Sequence, residues 1–235
     1  MTDVPGACAV ELGDTPLLLL PGRVAFREGD RTLFVADLHV GKAATFRSHG
    51  VSVPPGTTGE TLDRLADLVA ATGSRRVVIL GDLLHAAEGR HPRTEARLAA
   101  WRAVHVDLRV DLIRGNHDHT AGDPDVTLGI DVHDAPHLDG DLTLFHQPPS
   151  AHAHPWLAGH VHPAVRLAGA GRQRLTIPCF HLTAGGMVLP AFGAFTGLAT
   201  VRIAPGDRVF AIAGEAVVEA AVGLRTSAED PESGR

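Results

Sequence analysis

The residues able to do chemistry gather in five short clusters: Asp37-Leu38-His39, Gly81-Asp82, Gly115-Asn116-His117-Asp118, His146, and Gly159-His160-Val161-His162. Carboxylates, imidazoles and one neutral amide are donors of intermediate hardness, suited to Mn, Fe, Zn or Ni rather than to calcium alone. The clusters hold seven candidate ligands, too many for one ion and right for two ions sharing a bridge. Two divalent ions about 3.5–4 Å apart serve in-line displacement at phosphorus, where they activate a hydroxide and steady the developing charge.

Each cluster closes an apolar, β-prone run: Thr32 to Ala36, Arg76 to Leu80, Leu108 to Ile113, Leu142 to Phe145, and Trp156-Leu157-Ala158. Ligands of open α/β sheets collect at the carboxyl ends of the strands. An Asp and a His two apart on extended backbone point the same way, so Asp37 and His39 are expected to reach one ion. One such pair is commonplace, whereas five complementary strand exits imply one site built from five loops.

The elements around these exits follow from periodicity. Leu17 to Leu20 and Val24 to Phe26 read as strands joined at Pro21-Gly22, leading by a Glu28-Gly29-Asp30 turn into the Thr32 strand. The stretch from Gly41 to Gly56 reads as a long loop. Thr57 or Thr58 is expected to cap a helix with Leu62, Leu65, Ala66, Leu68 and Val69 on its apolar face, ending near Gly73. Thr94 to Val104 has helical spacing, with Leu98, Trp101 and Val104 (or Ala100) on one side and Arg93, Arg97 and Arg102 on the other. Those arginines form either a solvated face or a phosphate-facing rim. Strands and helices alternate as far as Ile113, the pattern of parallel strands flanked by helices. Beyond Val126 only short β-prone runs remain, from Leu142 to Phe145, Ala164 to Leu167, Leu175 to Ile177, Leu198 to Ile203, Val209 to Ile212 and Ala216 to Val218. A second sheet packed on the first is expected.

A chain of 235 residues, 44% hydrophobic, can bury a sizeable core and reads as one domain over residues 1–222, with 223–235 an acidic tail expected to be disordered. No apolar run is long enough to span a membrane. The opening stretch has no basic segment leading into an apolar one, so the expected location is cytoplasmic. Cys8 and Cys179 lie in no metal-binding or disulfide pattern. The net charge of −6 argues against a generic electrostatic nucleic-acid binder. Basic charge is nearly all arginine, the better phosphate partner, with Lys42 the single lysine.

The set D-L-H, G-D, G-N-H-D, a separate H and G-H-V-H resembles the calcineurin-like metallophosphoesterase superfamily. The resemblance implies a four-layer α/β/β/α sandwich with two packed mixed sheets. It also implies that Asp37, His39, Asp82 and His162 bind one metal and that Asp82, Asn116, His146 and His160 bind the other, with Asp82 as the bridge. His117 is then the acid that protonates the leaving group, and Asp118 orients its ring. The stretch ADLHVGKAATFRSHGVSVPPGTT, the LFHQP around His146 and the LPAFGAFTG at Leu189 to Gly197 are similar to a narrower group, the bacterial ligase-associated DNA damage response endonucleases, the PdeM family. That similarity implies a manganese-dependent phosphodiesterase acting on DNA in repair, associated with a DNA ligase and a helicase.

Gly81-Asp82 continues as Leu83-Leu84-His85-Ala86, without the second Asp and the Arg that protein phosphatases of the superfamily place there. Phosphate positioning then falls to Lys42, Arg47, Arg90 or Arg93. The competing reading is a phosphodiesterase or phosphatase for a small nucleotide. A metal-free scaffold is disfavoured because every ligand position is filled. His85, His119, His152 and His154 match no ligand position and read as surface or supporting residues, and Trp101 and Trp156 as core.

Overall fold

The computed structural model describes residues 4–53, 56–168, 174–194 and 196–220. The region expected to form a C-terminal tail lies outside them. The first sheet opens as a meander of β1 (Cys8–Leu12), β2 (Thr15–Leu20), β3 (Val24–Arg27) and β4 (Thr32–Val35), each antiparallel to the last. It continues in parallel through β5 (Arg76–Ile79), β6 (Arg109–Ile113) and β7 (Ile130–His133). Val35 stands opposite Ile79 and Ile79 opposite Leu112, so three chain exits leave the sheet level with one another.

Between β4 and β5 the chain forms α1 (Lys42–Ser48) and α2 (Thr57–Thr72). α1 lies where a loop was expected. Its seven residues are too few to show a period, and it starts from Gly41 without a side-chain cap. α2 starts from Gly56 at φ 104°, not from a threonine cap. Thr57 and Thr61 are buried inside it, with the Thr61 hydroxyl donating to Thr57 O. Leu62, Leu65 and Val69 form its buried stripe, and Gly73 closes it as expected.

The next crossover, α3 (Pro92–Val104), is capped by the His91 ring, which accepts from Arg93 N. Leu98 and Trp101 are buried, but Val104 is 78% exposed, so the expected apolar face stops one turn short. Arg97 pairs with Asp63 of α2, and Arg102 donates to the carbonyls of Leu128, His105 and Leu108. Both arginines thus have partners within the protein. After β6 comes α4 (Asn116–Ala121).

The second sheet contains β8 (His137–Asp139), β9 (Leu142–Leu144), β10 (Trp156–Ala158), β11 (Pro163–Ala168), β12 (Arg174–Leu182), β13 (Gly186–Val188), β14 (Ala199–Thr200), β15 (Arg208–Ala213) and β16 (Ala216–Glu219). It too is mixed: β9, β10 and β13 run parallel, and most other pairs are antiparallel. β12 runs through Pro178, where the sequence reading had stopped it at Ile177. Pro178 is the last residue paired with β11, and from Cys179 the strand pairs with β15 instead. A proline is tolerated at such a change of partners because no continuous ladder needs its missing N–H.

The sheets meet over a core in which Phe34, Val78, Leu80 and Ile113 face Leu142, Leu144, Leu157, Phe180, Met187 and Phe210. A second core joins Leu33, Val35, Val77, Ile79 and Leu112 to Leu62, Leu65, Leu98 and Trp101 of α2 and α3. Strands covered on both faces are apolar, as Leu33 to Val35 of β4 and Val77 to Ile79 of β5 are here. The two packed mixed sheets are those expected. Among the described residues the helices all precede β7, and the smaller apolar clusters of the second sheet contain no helix residue, so helical cover is confined to one side.

Candidate metal centre

β4, β5 and β6 of the first sheet and β9 and β10 of the second deliver their following residues to one place. Asp37, His39 and His162 lie with their ligand atoms within 4.8 Å of one another, and so do Asp82, His146 and His160. The third group at the same separation is His39, His85 and His117. Asn116 joins the second group, with Oδ1 2.9 Å from His146 Nε2. Asp82 faces both ways: its Oδ2 is 3.9 Å from His39 Nε2 and its Oδ1 is 3.4 Å from His146 Nε2.

The backbone that achieves this is not extended, contrary to the sequence reading. Asp37, His39, Asp82, His160 and His162 have φ of 56°, 49°, 53°, 69° and 52°, and among the described non-glycine residues only Arg23 and Arg31 share this left-handed region. Each such residue costs on the order of 1–3 kcal/mol and persists where its surroundings over-determine it. The surroundings here are main-chain bonds between exits: Asp37 N donates to Gly81 O (3.1 Å) and His39 N to Asp82 O (2.8 Å). Gly81, at φ 82°, passes so close to His146 that any Cβ would overlap its ring. Gly115 is held to the same condition by the Asp82 carboxylate.

Carbonyl groups fix the imidazole tautomers. His146 Nδ1 donates to Leu80 O at 3.0 Å and His162 Nδ1 to Gly197 O at 3.2 Å. In each ring Nε2 is left with its lone pair toward a carboxylate oxygen, 3.4 Å from Asp82 Oδ1 and 3.6 Å from Asp37 Oδ1 respectively. His39 Nε2 and Asp37 Oδ1 are buried without any hydrogen-bond partner. Acceptors turned toward acceptors in a buried site are unfavourable alone and suited to a cation between them. The donor set therefore fits divalent metal.

Electrostatics agree. Burial, aided by Lys42 and the neighbouring histidines, lowers the His39 pKa to about 2, so its ring is neutral at ordinary pH. Burial also lowers His160. The Asp82 carboxyl pKa is raised by burial first, against the opposing effect of the hydrogen bond it accepts from His117 N.

His117 stands beside this set, Nε2 4.0 Å from Asp82 Oδ2. Its Nδ1 donates to His85 O at 2.6 Å, so Nε2 is the atom that can hold and release a proton toward the centre. Asp118 does not orient that ring. Its fully buried carboxylate accepts from Leu84 N (2.9 Å) and Gly115 N (3.0 Å), tying one exit loop to the next. The support for His117 is instead His85, through its carbonyl and a stacked ring with centroids 4.8 Å apart. His85 Nδ1 also lies 3.3 Å from His39 Nδ1. No spacing in the sequence singled His85 out; only its place just after Gly81-Asp82 hinted at it.

The four basic candidates separate. Lys42 faces the centre, close enough to Asp37 and Asp82 for their charges to oppose the lowering of its pKa by burial. Arg47 is exposed on α1 and donates to Val53 O. Arg90 is committed elsewhere, to Glu95 at 2.7 Å and to the carbonyls of Ala121 and Asp123, so it is withdrawn as a phosphate contact. Arg93 stands exposed in the first turn of α3, with no hydrogen bond or ion pair to the centre's side chains.

Two packed mixed sheets whose strand ends deliver this Asp, Asn and His set define a metallophosphoesterase. Among solved structures the chain is similar to the Pseudomonas putida nuclease MPE, at 40% identity and a TM-score of 0.77, over 88% of this chain and 96% of that one. It belongs to the metallophosphoesterase family of that nuclease, related to the PdeM family, and is a phosphodiester-hydrolysing enzyme that binds divalent metal. The Escherichia coli phosphoesterase YfcE also aligns, at 19% identity over 82% of this chain and 99% of its own, with a TM-score of only 0.43. No protein-family model and no curated protein matches the chain. Among the described residues no helix is long and apolar enough to cross a membrane.

Proposed function

We propose that the protein is a DNA endonuclease of DNA repair, working in the cytoplasm with a DNA ligase and a helicase and using two manganese ions. The observation that carries the two-ion reading is Asp82, whose two oxygens face the two separate donor groups. Asp37, His39 and His162 with Asp82 would hold one ion, and Asn116, His146 and His160 with Asp82 the other. Bound there, divalent ions supply Lewis acidity and charge neutralisation at the phosphoryl group.

The chain's own residues do the rest. A water gives up one proton to solvent as its oxygen attacks phosphorus in line, the bond to the leaving oxygen breaks, and the doubly protonated His117 ring passes its Nε2 proton to that oxygen. His85 O holds Nδ1–H, so the proton this ring gains and gives up is the one on Nε2. Lys42 gives a cation beside the diester, whose single negative charge needs less than a terminal dianion does. DNA is favoured over a small nucleotide by the kinship with a nuclease and by the lack of a phosphatase-type arginine after Asp82. The test is a covalently closed plasmid with Mn²⁺ beside a panel of cyclic nucleotides, dinucleotides and a nitrophenyl monoester. Nicking that Asp82→Ala abolishes is expected; an intact circle with brisk turnover of a small nucleotide would replace DNA as the substrate.

A further inference from the structure

Most of the described aromatic side chains of this protein are spent on its cores. There is no tyrosine, and Phe26, Phe34, Phe180, Phe192, Phe210, Trp101 and Trp156 are buried. Of the two described aromatic residues left partly exposed, Phe145 packs against Trp156, Ala158 and Val188. The other, Phe46, stands at the mouth of the metal centre. It sits one turn along α1 from Lys42, whose Nζ is 5.9 Å from the ring centroid. Its ring meets His85 edge-on at 6.2 Å, and His85 in turn stacks on His117. Behind it, the cavity between α1 and the start of α2, lined by Leu38, His39, Val53, Thr57 and Thr61, measures about 10 Å³. That is room for one water, so the ring cannot withdraw inward.

We propose that Phe46 is the shelf of a nucleobase subsite, on which a base next to the scissile phosphate stacks while Lys42 lies along the backbone. This rests on the DNA reading above. A packing role alone would be met by an aliphatic side chain, and it would not call for a ring held at the rim between a cation and the histidine that stacks on the proton donor. Every base offers a π face, so such a shelf binds without reading sequence. It would fix which phosphate of a flexible strand falls at His117.

The test compares wild type, Phe46→Leu and Phe46→Trp on a single-stranded oligonucleotide and on the same backbone made entirely of abasic units. Leucine keeps the contact with α1 and removes the π face. Phe46→Leu is expected to raise KM on the ordinary strand about tenfold, within the range base stacking supplies, with kcat and metal content kept. Phe46→Trp should hold KM at or below wild type. On the abasic strand Phe46→Leu and wild type should be equal. The proposal is overturned if Phe46→Leu matches wild type on the ordinary strand, or if it loses as much on the abasic one. A wild type that cuts neither strand overturns the DNA reading itself, and the subsite with it.

Discussion

Acidifying the metal-free protein should unfold it through His39. Burial holds the folded pKa near 2, whereas an unfolded histidine titrates near the ordinary value of 6.5. The folded ring stays neutral while the unfolded one gains a proton, so stability is present above pH 6.5 and lost as pH falls from there toward 2. Within that window one such group costs about 1.4 kcal/mol per pH unit, or about 2 kcal/mol between pH 7 and pH 5. Urea unfolding of the chelator-treated protein at several pH values measures the slope, and His39→Gln isolates this residue from other titrations. The variant should lose about 2 kcal/mol less than wild type between pH 7 and 5. Equal slopes would refute the reasoning, because they would mean that the His39 ring is free to charge in place. Saturating Mn²⁺ should raise stability without flattening that slope, since the folded ring is already unprotonated and the unfolded chain still takes up its proton.

Asp82→Ala should strip both ions, whereas His39→Ala, which removes one contact, should weaken one; elemental analysis of the dialysed proteins distinguishes them. His117→Ala should keep its metal and lose about 10²- to 10⁴-fold on an alkyl phosphodiester but far less on a nitrophenyl diester, whose leaving oxygen hardly needs a proton. Equal losses on the two would make His117 a positioning residue. Gly81→Ala, whose Cβ at a φ of 82° would fall on the buried His146 ring, should lose metal from the second donor group. Full metal content in this variant would show that the close approach of the two loops is not needed.

Much of this centre was legible because its chemistry is written in residue type: Asp, Asn and His at the ends of apolar runs. What was not legible was backbone. The pair Asp37 and His39 was expected to converge by extension, and instead converges through two left-handed residues, a choice made by the neighbouring Gly81 and Asp82 carbonyls. Such long-range bonds leave no local pattern. α1 and α4, seven and six residues long, are too short to show a period. Pro178 reads in sequence as a strand end because its tolerance depends on which strands pair on either side. The roles of Asp118 and Arg90 were misjudged for a related reason: a buried carboxylate tying loops and an arginine binding carbonyls look, in sequence, like catalytic and phosphate-binding residues.

The most direct test of the two-ion centre is a crystal grown with Mn²⁺ and measured at a wavelength where manganese scatters anomalously. Two peaks are expected about 3.5–4 Å apart, one beside Asp37, His39 and His162 and the other beside Asn116, His146 and His160, with Asp82 touching both. A single peak, or two that Asp82 does not bridge, would contradict it.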